Sequence, residues 1–214
     1  LLYGKIFMNK FEVSNIDYKR FLNSLLDSRN IELYKSCLYD SLSWTQSYHT
    51  YNDPMKNMYH WHPAYDNYPI VNISNFAANK YCEWLTIQYN TQNRRNYTKV
   101  IFRLATEKEW VFAASNGGKS VNTTFENDKV KNDDCGCYQA NLKYDSEKGD
   151  NHFNDGGFFM VKTESYEPNE LGLYNMIGNV SEMIDQDNIS KGGGWNSYLE
   201  SSFIPLKGNY TTPN

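Results

Sequence analysis

The stretch GLYNMIGNVSEMI (172–184), followed at 191–195 by KGGGW, decides how this chain is read. It places Glu182 in an apolar setting between Val180 and Ile184. Burying a carboxylate there without a cation is costly. The preceding region, 119–170, is loop-like and dense in Asn, Asp and Gly. Long loops, few regular elements and many aromatics predict an α+β domain whose loops are locked by more than hydrophobic burial. Bound metal is one candidate for the lock.

Working outward, Thr106-Glu107-Lys108-Glu109 is a capping box, in which a hydroxyl and a carboxylate reciprocally satisfy orphan N–H groups. It opens a short helix through Trp110, Phe112 and Ala113, stopped at Gly117-Gly118. KVIFRLA (99–105) and KIFMNKFEV (5–13) read as β-segments, and PIVNI (69–73) as a strand entry. Ser14 and Ser74 are predicted N-caps. Behind them, Tyr18, Phe21, Leu22 and Leu25, then Ala77, Tyr81, Trp84 and Leu85, recur at helical spacing. Residues 30–68, rich in Tyr, Trp, His, Asn and Asp, read as a surface excursion within a single domain over 1–214.

Composition narrows the classes. Aromatics make up 16% of 214 residues, which argues against intrinsic disorder. No run of 18 apolar residues exists, so no membrane-spanning helix is expected. Net charge is −4 without a basic block, which disfavours nucleic acid as a partner. Of four cysteines, Cys82 lies in a helical apolar pattern, whereas Cys135 and Cys137 flank one Gly in a polar loop. A bridge between residues two apart is uncommon, so these two are expected as free thiols or paired elsewhere. Cysteine usage leaves the redox compartment open.

Five blocks in order carry a resemblance: FEVSNIDYKRFLNSL (11–25), YPIVNISNFAANKYCEWLT (68–86), FRLATEKEWVFAA (102–114), NELGLYNMIGNVSEMI (169–184) and KGGGW (191–195). Together they resemble the sulfatase-modifying-factor family, whose founding member is formylglycine-generating enzyme. The resemblance implies that enzyme's loop-rich variant of the C-type lectin fold. It also implies two structural Ca2+ sites, one on Asn175, Gly178, Val180 and Glu182 and another on Asn141, Leu142, Asp155 and Gly157. Calcium takes six to eight hard oxygens, which loops supply from side chains and carbonyls. The plain alternative is that these Asn, Asp and Gly residues only form turns. Glu167-Pro168-Asn169 matches a lectin sugar triplet, but its WND partner is absent, and a Pro-containing turn explains it better.

The family's oxidases hold copper with two cysteines shortly after the G-G-S-[WY] motif. Carried over, these positions are Ser197 and Ser202. A hydroxyl is a hard ligand and cannot replace a thiolate on Cu(I), so no copper is expected. The superfamily's iron enzymes rely on a separate His-rich helical domain. His60-Trp61-His62 is better read as ordinary packing than as a metal site. The family also ends with a further strand, roughly I-G-F-R. This chain stops at GNYTTPN (208–214) and starts at Leu1, and is read as a mature or trimmed protein without its signal peptide or lipid anchor.

Three functions compete. The first is a non-catalytic, calcium-stabilised binding or scaffold domain, a pseudoenzyme acting through contacts with other cell-envelope proteins, with a homo-oligomer as a further option. WHPAYDNYPIVNIS (61–74), preceded by DSLSWTQSYHTYNDP (40–54), resembles gliding-motility and type IX secretion lipoproteins of Bacteroidota, which implies a periplasmic or surface location. The second is an oxidoreductase-type enzyme of unknown chemistry in the superfamily. The third is a ligand-binding variable protein of the diversity-generating kind. In that case the residues after Trp195, namely Asn196, Ser197, Tyr198, Glu200 and Ser202, would face the ligand, and Trp195, Asn196, Ser197 and Tyr198 are the expected binding surface.

Overall fold

Ser14 opens helix α1 (Asn15–Asp27), its hydroxyl accepting from the Asp17 amide as an N-cap should. Tyr18, Phe21, Leu22 and Leu25 fall on one face and are buried. They meet Ala77 and Tyr81 of helix α4 (Asn75–Thr91), which Ser74 caps through the Ala77 amide. Between these lie α2 (Ile31–Ser36) and α3 (Asp53–Met58). The Thr106–Glu109 capping box opens α5 (Glu107–Ala114) as expected. This computed structural model describes residues 6–43, 53–143 and 155–210.

A small antiparallel sheet of order β1-β2-β3 joins Glu182–Met183, Ile189–Lys191 and Gly208–Asn209. Its register sets Glu182 opposite Lys191 and Ser190 opposite Gly208. Trp110, 1% exposed, sits behind the sheet with Leu142, Leu173, Met176, Ile177, Ile184 and Ile204. A third cluster gathers Met55, Tyr59 and Met160, with Phe159, Val180 and Trp195 against it. Mixed helices and short strands linked by long loops make this an α+β fold.

Two expectations need correction. Residues 6–13 and 99–105 are not sheet strands. Ser14 makes an isolated bridge to Pro69, and in 99–105 helix α4 takes the backbone bonds of Val100 and Phe102 while the Ala105 carbonyl accepts from the Asp185 amide. Asn90 bonds both the N–H and the carbonyl of Val100, and the Thr86 hydroxyl accepts from the Phe102 amide. Polar helix side chains thus stand in for a neighbouring strand.

The 30–68 stretch is not simply a surface excursion either, for it sends Cys37, Met55, Tyr59 and His60 inside. Asn15 ties it to α1 by donating to the carbonyls of Tyr59 and Tyr65, each at 3.0 Å. The Tyr59 hydroxyl donates to the Pro69 carbonyl. Residues 44–52, the heart of the aromatic run expected as a contact surface, lie outside the described residues.

His60 packs, as its sequence context suggested. Its ring stacks on Tyr39 at 3.8 Å, and Nε2 donates to the Val71 carbonyl at 3.0 Å. His62 uses Nδ1 to accept from the Ala64 amide. Burial pulls the His60 pKa down from 6.5 to about 4, opposed by its bond to Val71 and by Asp40. Between pH 6.5 and 4 the unfolded imidazole therefore binds a proton that the folded one does not, and the contribution of this site to stability falls as pH falls. The full effect is about 3 kcal/mol. Urea titrations of the parent and of His60→Gln across this range should diverge by this amount as pH falls, since the variant lacks that component of the pH dependence. An unchanged pH profile in the variant would refute the assignment.

Candidate functional site

The loop 174–182 wraps around a carboxylate that the sequence reading did not single out, that of Glu12. Asn175 donates to it at 2.9 Å, and Asn179 donates to both its oxygens at 3.0 Å. The Val180 amide adds a third donor, and Glu182 lies near enough to repel it. Asn175 and Asn179 both have positive φ, which turns the loop around Glu12. Glu182 in turn accepts from the indole Nε1 of Trp110. Each glutamate retains some exposed area, yet desolvation dominates both carboxyls. Burial pushes Glu182 up to about 7. Burial, then repulsion from Glu182, raises Glu12 well above the ordinary carboxylate range.

The first expected calcium set is therefore drawn together around Glu12. Asn175 turns its N–H groups to Glu12 and the Thr163 carbonyl, leaving its amide oxygen for another partner. Among the described residues nothing donates to the carbonyls of Gly178 and Val180. Nor do three His, Cys, Asp or Glu side chains gather anywhere among them. Two desolvated carboxylates with open carbonyl and amide oxygens are the donor set a hard cation uses, so these residues fit calcium.

The second expected set also converges. Asp155 accepts from the amides of Leu142 (3.2 Å) and Gly157 (3.0 Å). Asn141 donates to the Phe159 carbonyl, and its own carbonyl accepts from the Asn179 amide. This set thus abuts the first through Asn179, whose side-chain oxygen takes a weaker bond from Asn141 at 3.4 Å. Here a carboxylate already has backbone donors, so the case for a cation is weaker than at Glu12 and Glu182.

Ser197 and Ser202 lie side by side across Gly193. A Cβ on Gly193 would fall 3.1 Å from the Ser197 Cβ and 2.8 Å from the Ser202 Cβ. Ser197 Oγ accepts from the Gly194 amide, while Ser202, 1% exposed, donates to the Tyr198 carbonyl. Of the expected binding surface, Asn196 and Tyr198 are exposed, and Lys143 Nζ stands 4.8 Å over the Tyr198 ring. Trp195 instead turns inward, edge-on to Phe159. Lys191, opening the KGGGW run, is buried with Nζ 5.4 Å over Trp110 and 3.7 Å from Glu107.

The Sulfatase-modifying factor enzyme 1-like domain matches residues 4–212. The chain belongs to this family. Chaperone protein LppX of Paenibacillus barcinonensis is 32% identical over 123 residues, 51% of this chain and 44% of that protein. The chain thus spans less than half the length of that curated relative. PvdO from Pseudomonas aeruginosa superposes with a TM-score of 0.51 at 19% identity, over 70% of this chain and 58% of PvdO. Treponema denticola variable protein 1 gives 0.45 at 17%, over 69% and 67%. The likeness to PvdO is one of fold. For a sulfatase-modifying factor domain, the few helices, short strands and long loops are therefore the family's architecture.

Within this domain, Glu12, Asn179 and the Trp110–Glu182 bond were missed from sequence. Glu12 had a signal: it is an acid between Phe11 and Val13, directly before an N-cap. That is the same buried-acid argument that singled out Glu182. Nothing local announces that Trp110, 72 positions from Glu182, supplies its donor.

Proposed function

We propose that this sulfatase-modifying factor domain is a calcium-braced member of its family that is non-catalytic in the copper-oxidase sense and works through contacts with other proteins of the cell envelope. The observation that carries the reading is the serine pair flanking Gly193. The two positions remain neighbours, but each bears a hydroxyl occupied by a backbone hydrogen bond, one as acceptor and one as donor. Neither is the soft thiolate that Cu(I) requires. A relative named a chaperone protein fits a role in contact with other polypeptides. So does the exposed face at Asn196 and Tyr198, since Tyr is enriched at interfaces. No helix among the described residues is long and apolar enough to cross a membrane.

Calcium, where bound, would neutralise the Glu12–Glu182 pair, with Asn175, Gly178, Val180 and Glu182 as its holders. The chain's own residues orient that pair: Trp110 fixes Glu182, and Asn175 and Asn179 fix Glu12. The functional test is oxygen consumption with a cysteine-containing sulfatase-type peptide after loading with Cu(I). No turnover is expected, while the double variant Ser197→Cys/Ser202→Cys should gain Cu(I) affinity in a competition titration. Turnover by the natural chain would refute the reading.

A further inference from the structure

Cys135 and Cys137 are joined to each other, contrary to the expectation from their spacing. They stand at the tip of a loop, and every residue from Lys131 to Cys137 is exposed. The base of the loop is pinned by the Lys131–Tyr138 bridge and by the Gln139 amide donating to the Val130 carbonyl. Across the tip, the Asn132 amide donates to the Cys137 carbonyl and the Gly136 amide to the Asn132 carbonyl. The Asn132 side chain accepts from the Asp134 amide at 2.8 Å. None of these bonds uses a sulfur, so the loop can hold the two cysteines together in either redox state. Gly136 sits at φ +65, a turn glycine suits.

The two sulfurs are not equivalent. The Cys137 amide N–H points at Cys135 Sγ, with N to S 3.2 Å. Cys137 Sγ instead lies 3.6 Å from the Cys135 carbonyl oxygen. A hydrogen-bond donor stabilises a thiolate, and a carbonyl favours the protonated thiol. The remaining cysteines offer no competition, since burial pushes Cys37, inside, and Cys82, half-buried, each up to about 11.

We propose that Cys135–Gly136–Cys137 is a thiol–disulfide exchange site for cysteine-bearing polypeptides, with Cys137 the sulfur attacked and Cys135 the leaving group. A partner thiolate attacks Cys137 Sγ. The S–S bond breaks, and Cys135 departs as a thiolate held by the Cys137 amide. A second partner thiolate then attacks the partner sulfur of the mixed disulfide and expels Cys137. Two electrons and two protons pass from the partner's dithiol to the loop, and the partner gains the disulfide. Exposed disulfides are the labile and catalytic ones, and the leaving thiol that best bears charge departs fastest. Asp134 borders the pair with no cation at ion-pair distance among the described residues, whereas Asp133 is paired with Lys129. A Lys or Arg beside a partner thiol has Asp134 to pair with, a pull partly offset by Lys131, whose Nζ stands 4.5 Å over the Tyr138 ring.

The test uses the full chain, oxidised with glutathione disulfide and desalted, and a reduced synthetic peptide carrying two cysteines flanked by lysines. Mass spectrometry should find about one peptide disulfide formed per oxidised chain. The double variant Cys135→Ser/Cys137→Ser, with an unchanged melting midpoint, should form none above the blank. Iodoacetamide should label Cys135 in Cys137→Ser about tenfold faster at neutral pH than Cys137 in Cys135→Ser. Peptide oxidation no greater than in the double variant overturns the site, and equal labelling rates overturn the assigned direction of attack.

Discussion

Calcium at about a hundredfold excess over its dissociation constant should raise the melting midpoint of chelator-treated protein by about 8 °C. A ligand that binds only the folded state at that excess contributes about 2.7 kcal/mol. A domain of this size shifts by roughly 2–4 °C per kcal/mol. The physical source is the Glu12–Glu182 pair, in which each carboxylate is desolvated and Glu12 is further raised by repulsion from Glu182. Glu182→Gln should melt no lower than the parent in chelator, since it removes the repulsion on Glu12 and its amide oxygen can still accept from Trp110, whereas Glu12→Gln turns an amide NH2 toward the Asn175, Asn179 and Val180 donors and should melt lower. Both should lose most of the response to calcium. Identical midpoints in chelator and in calcium, with no metal retained after dialysis, would end the calcium reading.

Gly178→Ala should cost at least about 3 kcal/mol, the sum of a left-handed backbone penalty and a collision that cannot relax. At φ +84, a Cβ here would stand 2.5 Å from the Asn141 carbonyl oxygen, which is backbone and already accepts from the Asn179 amide. Gly172 is the control. It has φ +79 with nothing within 4 Å, so Gly172→Ala meets only the conformational penalty of about 1–2 kcal/mol. Denaturant midpoints of the two variants separate strain from collision. Equal losses would mean that the loop 174–182 and Asn141 are not packed as described.

The helices were legible because their signals are local. Ser14, Ser74 and Thr106 each satisfy an amide within three residues, and the buried faces of α1 and α4 follow from helical periodicity. The strands were not. KVIFRLA has strand composition, but Asn90 and Thr86 take its backbone bonds, and strand preference is settled by the neighbour rather than by the segment. Residues 30–68 look polar on average, while Tyr59 and His60 are held inside by Pro69 and Val71, whose carbonyls leave no mark in residue type, and by Asn15, 44 positions from Tyr59.

By itself, the sequence determined the family, the α+β architecture and the helix starts, and it supplied the proposal that Ser197 and Ser202 stand where the family's oxidases keep copper-binding cysteines. Those are matters of residue type and spacing along the chain. Only the tertiary structure decided that Glu12 faces Glu182, that Trp110 clamps Glu182, and that Cys135 bonds to Cys137. Glu12 and Glu182 are separated by most of the chain, so the repulsion between them exists only after folding brings the first block against the fourth. For the cysteines, the turn at Gly136 and the bonds across the loop tip set which sulfur meets which, a choice their spacing alone had argued against.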